Sequence, residues 1–251
     1  MTIKSKIAFF SLTSCEGCQF VLLDLGEKFF EFLQKVELVD FPLIEDKSFA
    51  KSKAKIDVAF VEGNPITKEN VRLLKKIRKE SKILVAMGNC AAFGGIPEIK
   101  NYQQKVKVFR YLYKNFKKFI SPEIREIDNF VKVDFVIPGC PINGEEFLRF
   151  SEKLIKGEIP EIRQSPVCTE CPKKGTIDCF LAKKEICFGP ITLAGCGAVC
   201  PKNNFQCLAC RGFLKTINAN NFIKNLEKFK SRKDIKDSLE IFGLRDAIGK
   251  K

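Results

Sequence analysis

Cysteine is the residue type that dominates the chemistry available to this chain. Eight of its twelve cysteines lie within residues 168–210. Two close C-x2-C pairs bound this segment, and the eight positions are Cys168, Cys171, Cys179, Cys187, Cys196, Cys200, Cys207 and Cys210. Glycines and prolines interrupt the segment, so it holds too little apolar surface to offset the entropy lost on ordering it. We therefore expect disulfides, zinc or iron–sulfur clusters to hold it together.

The composition narrows these alternatives. The 251 residues suffice for one larger and one smaller domain, and 45% of them are hydrophobic. No stretch has the roughly 18 apolar residues of a membrane span, and we expect no secretory signal. We therefore predict a cytoplasmic protein, in which disulfides are disfavoured because that compartment is reducing. The chain has no histidine, so any metal site must use thiolates, alone or with carboxylates.

The net charge supports a competing hypothesis. A formal charge of +14 is typical of proteins that bind nucleic acids. The lysines, however, are spread along the chain with acidic residues among them, as in residues 68–82. A solvated, lysine-rich surface is the simpler interpretation, and we predict no nucleic-acid partner.

Short apolar runs alternate with helical patterns through the first 157 residues. The runs are typical of strands buried on both faces and occur at residues 6–12, 36–39, 56–61, 83–87 and 133–137. Helical patterns cover residues 20–33, a segment that begins after Thr67, residues 106–116 and residues 144–155. This alternation predicts an α/β fold with an open, mostly parallel sheet covered by helices on both faces. We place this domain at residues 1–157 and a cysteine-rich domain at residues 158–251.

The remaining four cysteines follow predicted strands. Cys15 and Cys18 come after the first strand, Cys90 after the fourth and Cys140 after the fifth. The carboxyl ends of parallel strands lie at one end of a sheet, where such folds bind their ligands. Taken singly, the first two could form a redox pair and the others could be inert core thiols. Their shared placement favours a four-thiolate site.

The twelve cysteines thus divide into three sets of four. Structural zinc usually takes paired C-x2-C knuckles, whereas single cysteines such as Cys187 and Cys196 are widely spaced here. Three thiolate sites in a chain without histidine favour iron–sulfur clusters and hence an electron relay. A zinc protein that binds nucleic acid and an iron–sulfur electron carrier that acts alone are the alternative functions.

The motifs around these cysteines resemble those of a known family, the small subunits of nickel–iron hydrogenases. The matching motifs are TSCEGC at residues 13–18, GNCAAFGG at 88–95, PGCP at 138–141, CFGPITLAGC at 187–196 and C-x2-C-R-G at 207–212. Their order is that of the family, and the resemblance extends over residues 6–212. It implies a flavodoxin-like N-terminal domain followed by an irregular iron–sulfur-binding domain.

The resemblance also implies that the cysteines hold three 4Fe–4S clusters. The implied ligands are Cys15, Cys18, Cys90 and Cys140 for the proximal cluster, Cys196, Cys200, Cys207 and Cys210 for the medial cluster, and Cys168, Cys171, Cys179 and Cys187 for the distal cluster. No catalytic residue is expected in this chain, because the family activates hydrogen at the nickel–iron centre of a separate large subunit. The expected function is electron transfer from that subunit to an NAD(P)-linked flavoprotein or another flavin- or iron–sulfur-containing acceptor.

Two cysteines indicate a branch of the family. Cys168 stands where the periplasmic branch has a histidine, and Cys200 offers a fourth thiolate where that branch often has a three-iron cluster. Both features are similar to the cytosolic branch, above all to the delta subunit of NAD(P)-linked sulfhydrogenases. The small subunits of viologen- and deazaflavin-reducing hydrogenases come next. Quinone-oxidoreductase relatives rank lower, because they have adjacent cysteines in place of the spaced pair Cys15 and Cys18.

Two carboxylates and the C-terminal tail allow more than one interpretation. Glu16 and Glu62 lie near the predicted proximal ligands, and they tune that site, serve as a proton exit or are ordinary turn residues. Residues 214–251 have a basic, amphipathic helical pattern. This tail either packs over the cysteine-rich domain or docks an electron-accepting subunit.

Overall fold

The strands form a single parallel sheet. The computed structural model describes residues 4–45, 55–102 and 123–247. Its strands are β1 (Lys6–Ser11), β2 (Glu37–Asp40), β3 (Ile56–Glu62), β4 (Ser81–Met87) and β5 (Phe135–Ile137). They lie in the order β2-β1-β3-β4-β5, and each neighbouring pair is parallel. This is the flavodoxin-like order, so the predicted α/β class is confirmed.

Helices cover both faces of the sheet. They are α1 (Gly17–Leu23), α2 (Glu27–Gln34), α3 (Lys68–Glu80), α4 (Gly88–Phe93), α5 (Ile99–Tyr102) and α6 (Gly144–Ile155). On one face, buried residues of α1, α2 and α6 pack with Ile7 and Phe9 of β1. On the other face, α3 packs with Ala8 and Phe10. Alternate residues of β1 therefore enter two different apolar cores, which explains its unbroken apolar run.

The prediction of one continuous helix over residues 20–33 is wrong, because the structure has two helices there, α1 and α2. Gly26 separates them with φ 56° and ψ −127°, a backbone conformation that no α-helix contains and that glycine adopts readily. The predicted start of α3 is confirmed. The Thr67 hydroxyl accepts the Asn70 amide N–H at 3.1 Å, and the Asn70 side chain accepts the Thr67 N–H at 3.3 Å. The helix predicted at residues 106–116 lies outside the described ranges.

The cysteine-rich part is built from short helical elements. They are the 3₁₀ turns Val167–Thr169 and Gly189–Ile191, and the helices α7 (Val199–Lys202), α8 (Ala219–Leu226) and α9 (Arg232–Glu240). Apolar residues of α8 and α9, such as Leu226 and Leu239, are buried against Phe188 and Ile191. The tail therefore packs over the cysteine-rich segment, and this apolar face is not available to dock a partner. Among the described residues, no helix combines the length and apolar character needed to cross a membrane.

An aromatic group forms the centre of the first core and gives a direct test of the fold. Phe29 is fully buried, and its ring centroid lies 6.0–6.4 Å from those of Phe9, Phe32, Phe41 and Phe147. We expect Phe29→Ala to lower the free energy of unfolding by about 3–5 kcal/mol, because it leaves a cavity among these rings. Urea unfolding followed by circular dichroism under anaerobic conditions measures this change.

The next residue along α2 provides the matched control. Phe30 is 53% exposed, so Phe30→Ala should change the free energy of unfolding by no more than about 0.5 kcal/mol. Equal losses in the two variants would contradict the orientation of α2 on the sheet.

Candidate functional site

The first set of thiols gathers at the carboxyl end of the sheet. Cys15 follows β1, Cys18 lies in the first turn of α1, Cys90 lies in α4 just after β4, and Cys140 follows β5. Burial, together with the nearby Cys15, raises the pKa of Cys90 to about 11. Burial also raises the pKa of Cys140 to about 11, with contributions from Cys90 and Cys15. The structure thus brings these four thiols together, as the sequence predicts.

Glu62, at the end of β3, lies among these thiols because β3 separates β1 from β4. Its side chain is 2% exposed and accepts hydrogen bonds from the backbone N–H groups of Cys18 and Gln19 at 3.2 and 3.3 Å. Burial raises the pKa of Glu62, although these hydrogen bonds oppose the shift. Glu62 therefore fixes the first turn of α1 and is not an ordinary turn residue. Glu16 precedes α1 with a φ of 61° and has no capping hydrogen bond from its side chain.

Two buried asparagines position the backbone beside the thiols. Asn89 lies within the GNCAAFGG motif and Asn64 follows β3, but the sequence patterns assign a role to neither residue. The Asn64 amide donates to the carbonyl oxygens of Cys90 and Gly94 at 2.9 and 3.1 Å. The Asn89 amide donates to the carbonyl oxygen of Cys210 at 3.0 Å, which links the sheet to the cysteine-rich segment. Both residues closely follow strand ends on the thiol side of the sheet, and that position is the signal that could have identified them.

Two glycines let the backbone approach the first set closely. A Cβ on Gly88, where φ is +85°, would clash with Sγ of Cys18. A Cβ on Gly95, where φ is +64°, would lie 2.9 Å from Sγ of Cys90. The space around these thiols therefore exists because glycine has no side chain at these two positions. Such space is expected where the backbone surrounds a bulky group.

The second set lies within the cysteine-rich segment and comprises Cys168, Cys171, Cys179 and Cys187. Burial, together with the other three cysteines of the set, raises the pKa of Cys168 to about 11. Gly189 lies beside two of these thiols, since a Cβ there would be 3.1 Å from Sγ of Cys168 and 3.7 Å from Sγ of Cys187. The four residues of this set are therefore neighbours in the structure.

The third set lies between the other two and comprises Cys196, Cys200, Cys207 and Cys210. Burial, together with the nearby cysteines Cys196, Cys200 and Cys140, raises the pKa of Cys210 to about 11. Burial likewise raises the pKa of Cys207 to about 12, with contributions from Cys187 and Cys210. One member of the third set thus adjoins the first set, and another adjoins the second. The third set therefore neighbours both of the others, and we call this succession of three sets the row.

The donor sets fit iron–sulfur clusters in number and type. Each set offers four cysteines, and all twelve cysteines are free thiols. Within the described ranges, no three or more histidine, cysteine, aspartate or glutamate side chains converge so as to hold one metal ion. A 4Fe–4S cluster binds each of its four thiolates through a different iron atom, so the four thiolates need not converge on a single metal ion.

Sequence comparison places the chain in a family. The family profile described as "NADH ubiquinone oxidoreductase, 20 Kd subunit" matches residues 15–154, and the chain belongs to this family. It is 37% identical to sulfhydrogenase 2 subunit delta of Pyrococcus furiosus over 211 residues, which cover 82% of this chain and 86% of the relative. It is also 34% identical to a subunit of the F420-non-reducing hydrogenase vhu of Methanocaldococcus jannaschii over 241 residues, which cover 84% of this chain and 83% of the relative.

Structural comparison agrees with these relatives. A chain of the crystal structure of an NAD⁺-reducing [NiFe]-hydrogenase is similar to this one, with a TM-score of 0.56 and 27% identity. The similarity covers 64% of this chain and 96% of the other. The resemblance to hydrogenase small subunits is therefore confirmed, although the family profile is named after a quinone oxidoreductase.

The close approach of Gly88 to Cys18 can be tested by substitution. Gly88→Ala adds a methyl group that must displace the Cys18 thiol, so Cys18 should become more accessible to iodoacetamide. The variant should also lose more free energy of unfolding than the roughly 1–2 kcal/mol expected from positive φ alone. Peptide mass spectrometry after limited alkylation measures the first effect, and urea unfolding measures the second.

Gly157 offers a control with similar backbone strain and open surroundings. Its φ is +77°, and no atom lies within 4 Å of the position that a Cβ would take. Gly157→Ala should therefore leave the alkylation of Cys18 unchanged. If Gly88→Ala and Gly157→Ala change the alkylation of Cys18 to the same extent, Gly88 does not lie as close to Cys18 as the structure shows.

Proposed function

We propose that this chain is the electron-transfer subunit of a cytoplasmic nickel–iron hydrogenase and that it holds three 4Fe–4S clusters. The observation that carries the proposal is the arrangement of twelve thiols as three sets of four in a row. The relatives supply the enzyme class, because they are subunits of a sulfhydrogenase, of an F420-non-reducing hydrogenase and of an NAD⁺-reducing [NiFe]-hydrogenase. In this proposal hydrogen is activated in a partner subunit, and this chain contributes no catalytic residue.

Each thiol set would hold one cluster. The first set would hold the proximal cluster (Cys15, Cys18, Cys90, Cys140), the third the medial cluster (Cys196, Cys200, Cys207, Cys210) and the second the distal cluster (Cys168, Cys171, Cys179, Cys187). Such clusters, when bound, accept and release single electrons at potentials set by burial, by hydrogen bonds to sulfur and by nearby charge. Partial or complete burial of most of these thiols limits the access of water to the row.

Hydrogen bonds to the backbone hold the sets in their order. Between the second and third sets, the Phe188 N–H donates to the carbonyl oxygen of Cys207 at 2.8 Å. The Glu170 carboxylate accepts the N–H groups of Gly195 and Gly197, both at 2.9 Å, on either side of Cys196. Asn89 joins the first set to the third through the carbonyl oxygen of Cys210. Every junction in the row is therefore fixed at residues that belong to the proposed ligands or adjoin them.

The surface near the first set fits a hydrogenase subunit better than a carrier that acts alone. Cys15 is exposed, and so are two large apolar side chains, Phe20 at 52% and Ile96 at 48%. Phe20 lies two residues after Cys18, and Ile96 follows the glycine pair beside Cys90. Exposed apolar groups beside the end of the row are expected where a large subunit docks.

The domain division and the electron acceptor belong to the same proposal. We place the boundary at residues 157 and 158, because α6 ends just before it and residues beyond it form an apolar cluster of their own. We propose an NAD(P)-linked flavoprotein as the acceptor, since one relative is an NAD⁺-reducing enzyme. We also propose a cytoplasmic location, as a reducing compartment suits a chain with twelve free thiols.

Cluster content tests the proposal directly. Anaerobically purified protein should contain about twelve iron and twelve sulfide per chain, from three four-iron clusters. Cys90→Ser and Cys179→Ser should each lower the iron content to about eight, because each removes a ligand from one set only. Iron and sulfide analysis measures the content, and electron paramagnetic resonance of the reduced protein should show that a different signal is lost in each variant.

The two variants serve as controls for each other, and other outcomes favour the alternatives. Zinc without sulfide would support a zinc protein and overturn the relay. Twelve iron in a stable monomer that captures no hydrogenase large subunit would support a carrier that acts alone. Loss of all iron in both variants would contradict the division into separate sets.

A further inference from the structure

A buried guanidinium group connects the sheet to the cysteine-rich segment. Arg211 is 1% exposed, and its Nη2 donates to both carboxylate oxygens of Glu146, in the first turn of α6, at 2.8 Å each. Its remaining donors reach backbone carbonyl oxygens, those of Pro138 at 2.8 Å, Leu193 at 3.2 Å and Ala194 at 3.0 Å. A planar guanidinium can satisfy a carboxylate and several carbonyl groups at once, which a lysine ammonium cannot do in the same geometry.

These contacts adjoin ligands of two different sets. Pro138 and Ala194 each lie two residues before a cysteine, Cys140 of the first set and Cys196 of the third. Arg211 itself directly follows the last cysteine of the third set. One side chain therefore fixes the backbone beside thiols that come from distant parts of the sequence.

The chain leaves room for this ion pair. Gly195 has a φ of +115°, and a Cβ there would lie 2.7 Å from Nη2 of Arg211 and 2.8 Å from Oε1 of Glu146. Any other residue at this position would clash with the ion pair. The pair and the glycine thus form one structural unit next to Cys196.

We propose that Arg211 and Glu146 are positioning residues that fix the separation between the first and third thiol sets, and so the gap that an electron crosses between the proximal and medial clusters. This inference rests on the proposed function, because it concerns the clusters that these sets would hold. The pair does not act as a ligand. It acts through the backbone of residues that adjoin Cys140, Cys196 and Cys210.

A second arginine provides a matched control. The Nη1 of Arg78 donates to the Asp134 carboxylate and to the backbone carbonyl oxygen of Lys132. Its Nη2 donates to the backbone carbonyl oxygens of Ser81 and Lys82. This is the same combination of a carboxylate and several carbonyl groups. It lies where β4 begins, at the end of the sheet opposite the thiols.

The test compares Arg211→Lys, Glu146→Gln and Arg78→Lys in the assembled, anaerobically purified complex. Electron paramagnetic resonance of the fully reduced complex reports magnetic interaction between neighbouring clusters, which depends on their separation. We expect Arg211→Lys and Glu146→Gln to change the interaction between the proximal and medial clusters and to shift their midpoint potentials. The signal of the second set should stay as in the wild type.

A chain-based measurement accompanies the spectra. Limited alkylation after iron chelation should show a several-fold faster reaction of Cys140, Cys196 and Cys210 in Arg211→Lys, with the second set unchanged. Arg78→Lys should lower thermal stability but leave both the spectra and the alkylation pattern as in the wild type. Glu146→Gln keeps the size of the side chain and one acceptor oxygen, so it remains informative if Arg211→Lys does not assemble.

The outcomes separate this inference from the function on which it rests. Wild-type spectra and alkylation in both Arg211→Lys and Glu146→Gln would overturn the positioning role, as would equal changes in Arg78→Lys. A wild-type complex that lacks iron and sulfide would instead overturn the proposed function, and this inference with it.

Discussion

The structure depends on one constraint, which is that twelve thiols gather in neighbouring groups and that ten of them are partly or fully buried. Burial raises the pKa of Cys90, Cys140, Cys168 and Cys210 to about 11. At neutral pH such thiols are protonated and uncharged, and they pack as small apolar groups. On the proposed ligation they must lose these protons, so binding the clusters would release protons and would stabilise the fold that brings the thiols together.

Thiols form only weak hydrogen bonds, so polar side chains set the geometry around them. Asn64, Asn89, Glu62 and Arg211 are all buried, and each binds backbone groups of a cysteine or of a residue near one. Backbone contacts leave the sulfur atoms free to act as ligands while fixing where each thiol lies. A buried polar group without its partner is costly, so each of these residues specifies one arrangement of the chain around it.

The sequence predicts the sheet and the grouping of the thiols because both follow from local patterns. Apolar runs identify the strands, and the cysteines after β1, β4 and β5 must then meet at one end of the sheet. The break at Gly26 is missed, because a helical pattern of apolar residues continues across it. The contact between Arg211 and Pro138 joins residues 73 positions apart, and no local pattern encodes it. Asn64 and Asn89 can be located by their positions after strand ends, but the distant carbonyl groups that their amides bind cannot be predicted, for the same reason.

The cysteine-rich segment also has an apolar core that its own composition does not reveal. Within residues 168–210 the apolar surface is too small to order the chain, which is why the sequence predicts a covalent or metal-based support. The helices α8 and α9 supply what is missing, since they bury their apolar faces on Phe188, Ile191 and Ala209. Two of the proposed ligands, Cys187 and Cys207, pack in a second small core of this segment. On the proposed ligation, cluster binding and apolar packing would therefore act on the same residues, and the tail is part of the structure that packs against the cysteine-rich segment.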